Sequence, residues 1–351
     1  MNIHSSFKTY SIEFKDDFDF IPKFQSENMF FVIDQNVFDL YKNSFINQIP
    51  NEQIITMQAV ETKKNIEKCL ELCEKFTQLP AKRNSMIVSI GGGIIQDVTG
   101  FMANILYRGI KWVFIPTTLL AICDSCIGGK TSLNYRQYKN LLGTFYPPDQ
   151  IWIVPEFVQT LSELDYNSGL GEVIKFNIMA GAEGIGSIES GMDALLKRDV
   201  GVLNAFIEKS LKFKKSYIEE DEFDKGKRIY LNFAHTFGHA FETVSGYEIP
   251  HGLAVAIGML MANRISFKRN MLDESKVMRI ESIIKKIIAV KLNKEHFEAE
   301  RIIDAMKKDK KQTDNSLRAI LLSGDLSLQI VSDITKNEIE DALCYLFDKL
   351  S

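Results

Sequence analysis

The segment "NFAHTFGHAFE", residues 232–242, carries two of the chain's five histidines, His235 and His239, four positions apart. On a helix that spacing places both rings on one face. A third, His251, follows in "IPHGLAVAIGM", so three of the five fall within 17 residues. Imidazoles and carboxylates are what a divalent cation binds, and a catalytic ion keeps a coordination position open. The carboxylate that stands out is Glu172, in the apolar stretch "SGLGEVIKFNIMA". A charge there needs a counterion or a metal. The candidates for a metal site are therefore Glu172, His235, His239 and His251. Spacing alone favours His235 and His239 as the ligand pair, as in HExxH helices. Lys175, three residues after Glu172, offers a plainer partner, an i,i+3 ion pair.

Other blocks suit anions. "IVSIGGGIIQD" sets Gly91, Gly92 and Gly93 between an apolar strand and a helix start. Glycines there let backbone N–H groups approach a diphosphate, which a helix N-terminus attracts. Asp34 and Asn36, in "VIDQNV", end an earlier strand, where a carboxylate can bond ribose hydroxyls or simply shape a turn. "PTTLLAICDSCIGGKTSLNYRQYKNLLGTF" holds Asp124, Lys130, Asn134, Lys139 and Asn140 among small residues. Lysines in such company are expensive to bury unless they meet an anion, so the block reads as phosphate or carboxylate recognition. It is no Walker A loop, because the upstream glycine spacing is wrong. Lys214, Arg228 and Asn232 lead into the histidine segment from a charged stretch whose other members read as a solvated face.

The elements that must position these residues follow from periodicity. "MFFVIDQNV", "EQIITMQAV", "SMIVSIGGG" and "IKWVFIPTTLLA" read as strands; "TKKNIEKCLELCEKFTQL" and "IIQDVTGFMANILY" read as helices between them. That βαβ rhythm implies a mostly parallel sheet covered by helices. After about residue 160 helical periods dominate, over 164–182, 200–220, 230–245, 252–269 and 275–291, with strands only at "RAILLS" and "LSLQIV". The expected division is an α/β domain over 1–160 and a mainly helical domain over 161–351.

Composition excludes several classes. The 351 residues are 45% hydrophobic and 25% charged, with a net charge of −4, so bulk charge does not favour nucleic acid. No run approaches the length of a membrane span and the first residues are too polar for a secretory leader. Five cysteines is no disulfide scaffold and fits a reducing cytoplasm. Cys69 and Cys73 read as core packing. The CxxC of Cys123 and Cys126 lacks the second CxxC of a zinc site, and a redox role is its weaker reading.

Taken together the blocks resemble the 3-dehydroquinate synthases, members of the sugar phosphate cyclases. The likeness spans roughly 30–345 with its motifs in order. GGGxxxD is matched by Gly91 to Asp97, and RGxxxxxxPTTLLAxxDSSxGGKTxxN from Arg108 to Asn134, with Cys126 in place of a serine. KNxxGxF falls at 139–145, AEVIK as "GEVIK", NFGHTFGHAxE as "NFAHTFGHAFE" and DKK at 309–311. The resemblance implies a Rossmann-like NAD-binding domain and a helical metal and substrate domain. It implies that Glu172, His235 and His251 hold Zn²⁺ or Co²⁺, while His239 reaches the substrate phosphate. Asp34, Asn36, Glu61, Lys64, Gly92, Gly93, Asp97, Thr117, Thr118 and Lys139 would hold NAD⁺. Asp124, Lys130, Asn140, Lys175, Lys214, Arg228, Asn232 and Lys310 would surround the substrate, and Arg108 would serve the phosphate across a homodimer interface. Asp224 stands where the family has a glutamate four residues before that arginine at 228. The implied reaction converts 3-deoxy-D-arabino-heptulosonate 7-phosphate to 3-dehydroquinate in the shikimate pathway, with NAD⁺ regenerated.

Four positions depart from the family pattern: Ala234 for glycine, Gly171 for alanine, Leu253 for the glutamate of HGEAV, and Val154 for an aspartate. They keep in view a related cyclase acting on another sugar phosphate. Metal-dependent polyol or glycerol-phosphate dehydrogenases, which release NADH, share the fold. Lys214 and Arg228, the expected carboxylate partners, favour the carboxylated substrate, and the GGKT and KN blocks favour a cyclase.

Overall fold

Apolar runs bounded by turn residues become the strands of one twisted sheet. The computed structural model describes residues 1–136, 138–308 and 317–350. Its seven-stranded sheet contains β1 (Asn2–His4), β2 (Thr9–Phe14), β3 (Met29–Asp34), β4 (Ile54–Met57), β5 (Met86–Gly91), β6 (Lys111–Pro116) and β9 (Gln150–Ile153), in the order β1-β2-β9-β6-β5-β3-β4. Only the β1–β2 pair is antiparallel. Helices α1 (Phe20–Phe24), α2 (Gln35–Tyr41), α3 (Ile66–Gln78) and α4 (Gly93–Ile105) accompany it. The central strands are buried along nearly their whole length, as expected of parallel strands covered on both faces. The polar block is a π-helical turn (Ala121–Ser125) and then the antiparallel hairpin β7 (Lys130–Tyr135) and β8 (Tyr138–Phe145). The segment after β3, read as a turn, is helix α2, started by Asp34, whose side chain accepts from the Asn36 N–H. The short β9 and the half-exposed β1 and β2 carry too little apolar pattern to stand out in the sequence.

Two compact units divide the chain: 1–160 with 218–223, and 161–217 with 224–351. In the first, residues 218–223 dock on the N-terminal hairpin. Glu219 accepts from the His4 N–H (2.8 Å), and Glu222 accepts from the Ser5 hydroxyl and the Ser6 N–H. Phe223 packs edge-on against Phe7 and Phe145. The second unit contains α5 (Glu163–Met179), α6 (Ala182–Leu196), most of α7 (Val200–Ile218), α8 (His235–Val244), α9 (His251–Lys268), α10 (Glu274–Lys285), α11 (Ala299–Lys307), the hairpin β10 (Leu317–Ser323) and β11 (Ser327–Ile334), and α12 (Lys336–Leu350). Helix α6 is absent from the sequence expectation because Gly184, Gly186 and Gly191 weaken its signal. The helix expected over 230–245 starts only at His235; residues 227–232 form a 3₁₀ turn.

Helices α5 and α9 are buried nearly all round and form the centre of this unit. They cross at Gly171 and Gly252: a Cβ on Gly171 would collide with the Gly252 carbonyl, and one on Gly252 with the Ser168 carbonyl. The Ser168 hydroxyl accepts from the Gly252 N–H at 3.0 Å. Gly171, a departure from the family pattern, is thus demanded by a backbone-to-backbone approach. Ala234 takes a left-handed conformation, φ 68°, immediately before α8. An L-residue there is strained by about 1–2 kcal/mol.

Two substitutions follow. Gly171→Ala should destabilise the protein by about 1–3 kcal/mol through overpacking. Ala234→Gly should stabilise it by about 0.5–1 kcal/mol, the relieved strain exceeding the added entropy of the unfolded glycine. Urea unfolding followed by circular dichroism checks both signs.

Candidate functional site

Strand ends and a glycine turn build a polar cradle in the first unit. Gly92 precedes α4 in an extended conformation, and a Cβ on it would lie 2.9 Å from the Thr118 methyl. The first N–H groups of α4 begin at this turn, with Thr117 bonded by its N–H to the Gly91 carbonyl (3.0 Å). Lys64, buried, meets Asp97 Oδ2 at 2.5 Å and donates to Asn140 Oδ1 at 2.7 Å. Asp97 also accepts from the Ser132 N–H (3.0 Å), and the Ser132 hydroxyl lies within bonding distance of both Asp97 and Asn140. Burial pushes the Asp97 carboxyl up, outweighing the pull of Lys64 and the Ser132 bonds. Asn140 has left-handed backbone, φ 51°, held by its N–H bond to Asn134 Oδ1 (2.9 Å). Glu61 accepts from Asn134 Nδ2 at 2.8 Å and stands 3.5 Å from Lys139 Nζ. Burial pushes the Asp34 carboxyl up, against N–H bonds from Asn36 and Ala59. Asn36, Arg108 and Lys130 are exposed, and Asp124 is half-buried on the π turn. Cys123 and Cys126 are buried thiols directed at carbonyls of their own turn, which is a packing role.

In the second unit the α5–α9 crossing and the turn at Ala234 bring three candidate ligands together. Glu172 on α5 is completely buried. His235 Nε2 is 3.5 Å and His251 Nε2 is 3.4 Å from Glu172 Oε1. The ligand atoms of this trio all lie within 4.8 Å of one another. Neither Glu172 oxygen receives a directed hydrogen bond, and Oε2 has the Lys175 ammonium 2.7 Å away. That ammonium also donates to the Leu231 carbonyl (2.9 Å), so even with its ion pair to Glu172 it keeps an N–H for another acceptor. His235 Nδ1 bonds the Phe233 carbonyl (3.0 Å), which turns its Nε2 lone pair toward Glu172. A buried carboxylate oxygen lacking a donor, beside two nitrogens turned to it, fits a divalent cation. Glu172 is closed off while 30% of the His251 side chain is exposed, so the open side of the cluster lies at His251.

Electrostatics agree. Burial pushes the Glu172 carboxyl up, but Lys175 and the two imidazoles hold it well below the usual carboxylate range. Burial opposes a charged His251, yet Glu242 and Glu172 push its imidazole up to about 10. The site is built to hold positive charge there. His239 lies on the same face of α8, its ring centroid 5.4 Å from that of His235 and 5.8 Å from that of His251. Lys214 and Arg228 are buried in the same unit, and Asn232 bonds the Ile229 carbonyl through Nδ2. Lys310, with the rest of DKK, lies outside the described residues.

Comparison with known proteins follows the same division. Two family models match, "3-dehydroquinate synthase N-terminal" over residues 54–168 and "3-dehydroquinate synthase C-terminal" over 169–312. The 3-dehydroquinate synthase of Dictyoglomus turgidum is 38% identical over 302 residues, 86% of this chain and 84% of its own. The chain belongs to the 3-dehydroquinate synthase family. Among solved structures it is similar to 2-epi-5-epi-valiolone synthase from Streptomyces hygroscopicus subsp. jinggangensis (TM-score 0.85, 24% identity, 97% of each chain). It is also similar to 2-deoxy-scyllo-inosose synthase (TM-score 0.83, 23% identity, 98% of each chain). At those identities the likeness is one of fold: a mostly parallel α/β part and a helical part. Family membership disfavours both the related cyclase and the polyol dehydrogenase.

The sequence reading overlooked Glu242 and Ser132 as parts of these clusters. Glu242 Oε2 is 3.2 Å from His251 Nδ1. Its signal was present, since it stands three residues after His239 and seven after His235, on one helical face. Ser132 alternates with Lys130 and Asn134 along a strand, so all three share a face.

The raised His251 predicts a pH effect on the metal-free protein. A group whose folded value exceeds its unfolded one, about 6.5, stabilises fully below that value. That contribution fades as pH climbs toward 10. Urea midpoints in chelator should fall from pH 6.5 to 10, and fall less in His251→Gln.

Proposed function

We propose that the protein is a carbon–oxygen lyase, a 3-dehydroquinate synthase. It converts 3-deoxy-D-arabino-heptulosonate 7-phosphate to 3-dehydroquinate and phosphate by transient oxidation, elimination, reduction and intramolecular aldol closure. The observation that carries this reading is the buried, donorless Glu172 Oε1 with two imidazole nitrogens turned to it, in a chain whose two halves match that family. The Streptomyces enzyme has NAD⁺ and Zn²⁺ bound, and 2-deoxy-scyllo-inosose synthase has NAD⁺ and Co²⁺, which supports the same cofactors here. When bound, NAD⁺ accepts and returns a hydride and the metal is a Lewis acid toward the sugar's vicinal hydroxyls.

The chain's own residues bind, orient and neutralise. Residues 1–160 serve NAD⁺ and residues 161–351 serve the metal and the substrate. Glu172, His235 and His251 hold the ion. Gly92 and Gly93 admit the diphosphate to the N-terminus of α4, with Thr117 and Thr118 beside the turn. Asp34, Asn36, Glu61, Lys64, Asp97 and Lys139 complete the nucleotide contacts. Lys214 and Arg228 take the substrate carboxylate, and His239 takes the phosphate. Lys175 offers its remaining N–H to a substrate oxygen, and Asp124, Lys130, Asn140, Asn232 and Lys310 orient the rest. Cations offered to a substrate that carries both a carboxylate and a phosphate stabilise the charge that moves during elimination. Arg108, exposed and in left-handed backbone, φ 63°, is free of its own fold to serve the phosphate in a homodimer. Five free thiols support a cytoplasmic setting, and no described helix is long and apolar enough to cross a membrane.

Purified protein with NAD⁺, Zn²⁺ and the heptulosonate phosphate should release inorganic phosphate without net NADH. Net NADH accumulation would identify a dehydrogenase. Phosphate release only from a different sugar phosphate would identify a related cyclase. Glu172→Gln and His251→Ala should each lose tight metal binding, read as the Zn²⁺ content of dialysed protein.

A further inference from the structure

A neutral imidazole presents one lone pair, and which nitrogen carries it is decided by the bond the other makes. His235 has that matter settled by the Phe233 carbonyl. His251 opens α9, a helix without a single acidic residue. Leu253, one position beyond Gly252, is completely buried. The support for His251 therefore comes from another helix. Glu242, on α8, sets its Oε2 3.2 Å from His251 Nδ1, with 13% of its side chain exposed. Resting on the reading of Glu172, His235 and His251 as metal ligands, we propose that Glu242 is the positioning residue of the metal centre. It accepts the Nδ1 proton of His251, so that Nε2 alone is left to face the ion.

The arrangement has two physical consequences. The carboxylate makes the imidazole a stronger donor to a cation. It also adds charge: Glu242 sets a second carboxylate beside the imidazole of His251, on the side opposite Glu172, which favours a cation at the cluster. His239, Glu242 and His251 also have ligand atoms within 4.8 Å of one another, so a direct ligand role for Glu242 is the competing geometry.

Cobalt separates these outcomes, because its visible bands report both ligand number and ligand strength. In full-length protein titrated with Co²⁺ against a chelator, Glu242→Gln should bind about tenfold more weakly and Glu242→Ala up to about 100-fold more weakly. Band positions should shift while band intensity, which follows coordination number, stays as in the wild type. The metal-free variants should keep wild-type circular dichroism while their thermal midpoints fall modestly with the lost Glu242–His251 contact, so the affinity loss is read in folded protein. Unchanged affinity in both variants overturns the inference and leaves the proposed function standing. A loss as complete as in His251→Ala, with altered intensity, overturns it by making Glu242 a ligand. Wild-type protein that fails to bind Co²⁺ overturns the metal reading and this inference together.

Discussion

A buried carboxylate beside a buried ammonium governs the helical half of this protein. Glu172 has no solvent exposure, and moving such a charge out of water costs several kcal/mol. Lys175, one helical turn away, offsets part of that on one oxygen. The other oxygen is left facing two imidazoles, and the surroundings serve that vacancy in hydrogen bonding. Two apolar helices exclude water, and a glycine pair lets their backbones approach. A strained alanine turns the chain so that α8 begins on His235.

The α/β half meets the opposite requirement. The chain is acidic overall, yet its strand ends and hairpin collect Lys64, Lys130 and Lys139 among carboxamides and glycines. Asp97 pairs with Lys64 and Glu61 with Lys139, which fixes where the two ammonium groups stand. Local arrangement, not bulk charge, makes such a surface fit for an anionic ligand.

Legibility in the sequence followed the strength of local patterns in the central strands and the long helices, though the amphipathic α11 and α12 also lay outside the expected periods. Continuous apolar runs disclosed the central strands, and long helical periods disclosed α5, α7, α9 and α10. Elements with weak local patterns did not stand out: the four-residue β9, the glycine-rich α6 and the amphipathic N-terminal hairpin. The metal candidates were legible as a set, because histidines are scarce and glutamate in an apolar helix is conspicuous. Their partition was not legible from spacing, which pairs His235 with His239. In the structure the close approach to Glu172 is made by His235 and His251, from helices whose crossing no local pattern encodes. Glu242 was hidden for a related reason: nothing in "HAFE" tells which histidine its carboxylate will meet.

The docking of residues 218–223 on the N-terminal hairpin has a consequence for synthesis. Glu219 and Glu222 lie more than 200 residues downstream of the His4, Ser5 and Ser6 groups they receive. At roughly 5–20 residues per second, the first strands of the chain wait on the order of tens of seconds for their last partners to leave the ribosome. Through that interval Phe7 lacks the ring of Phe223, and His4, Ser5 and Ser6 lack their carboxylate partners. The α/β half therefore cannot complete itself as an N-terminal piece; it becomes whole only after all of α7 has been made.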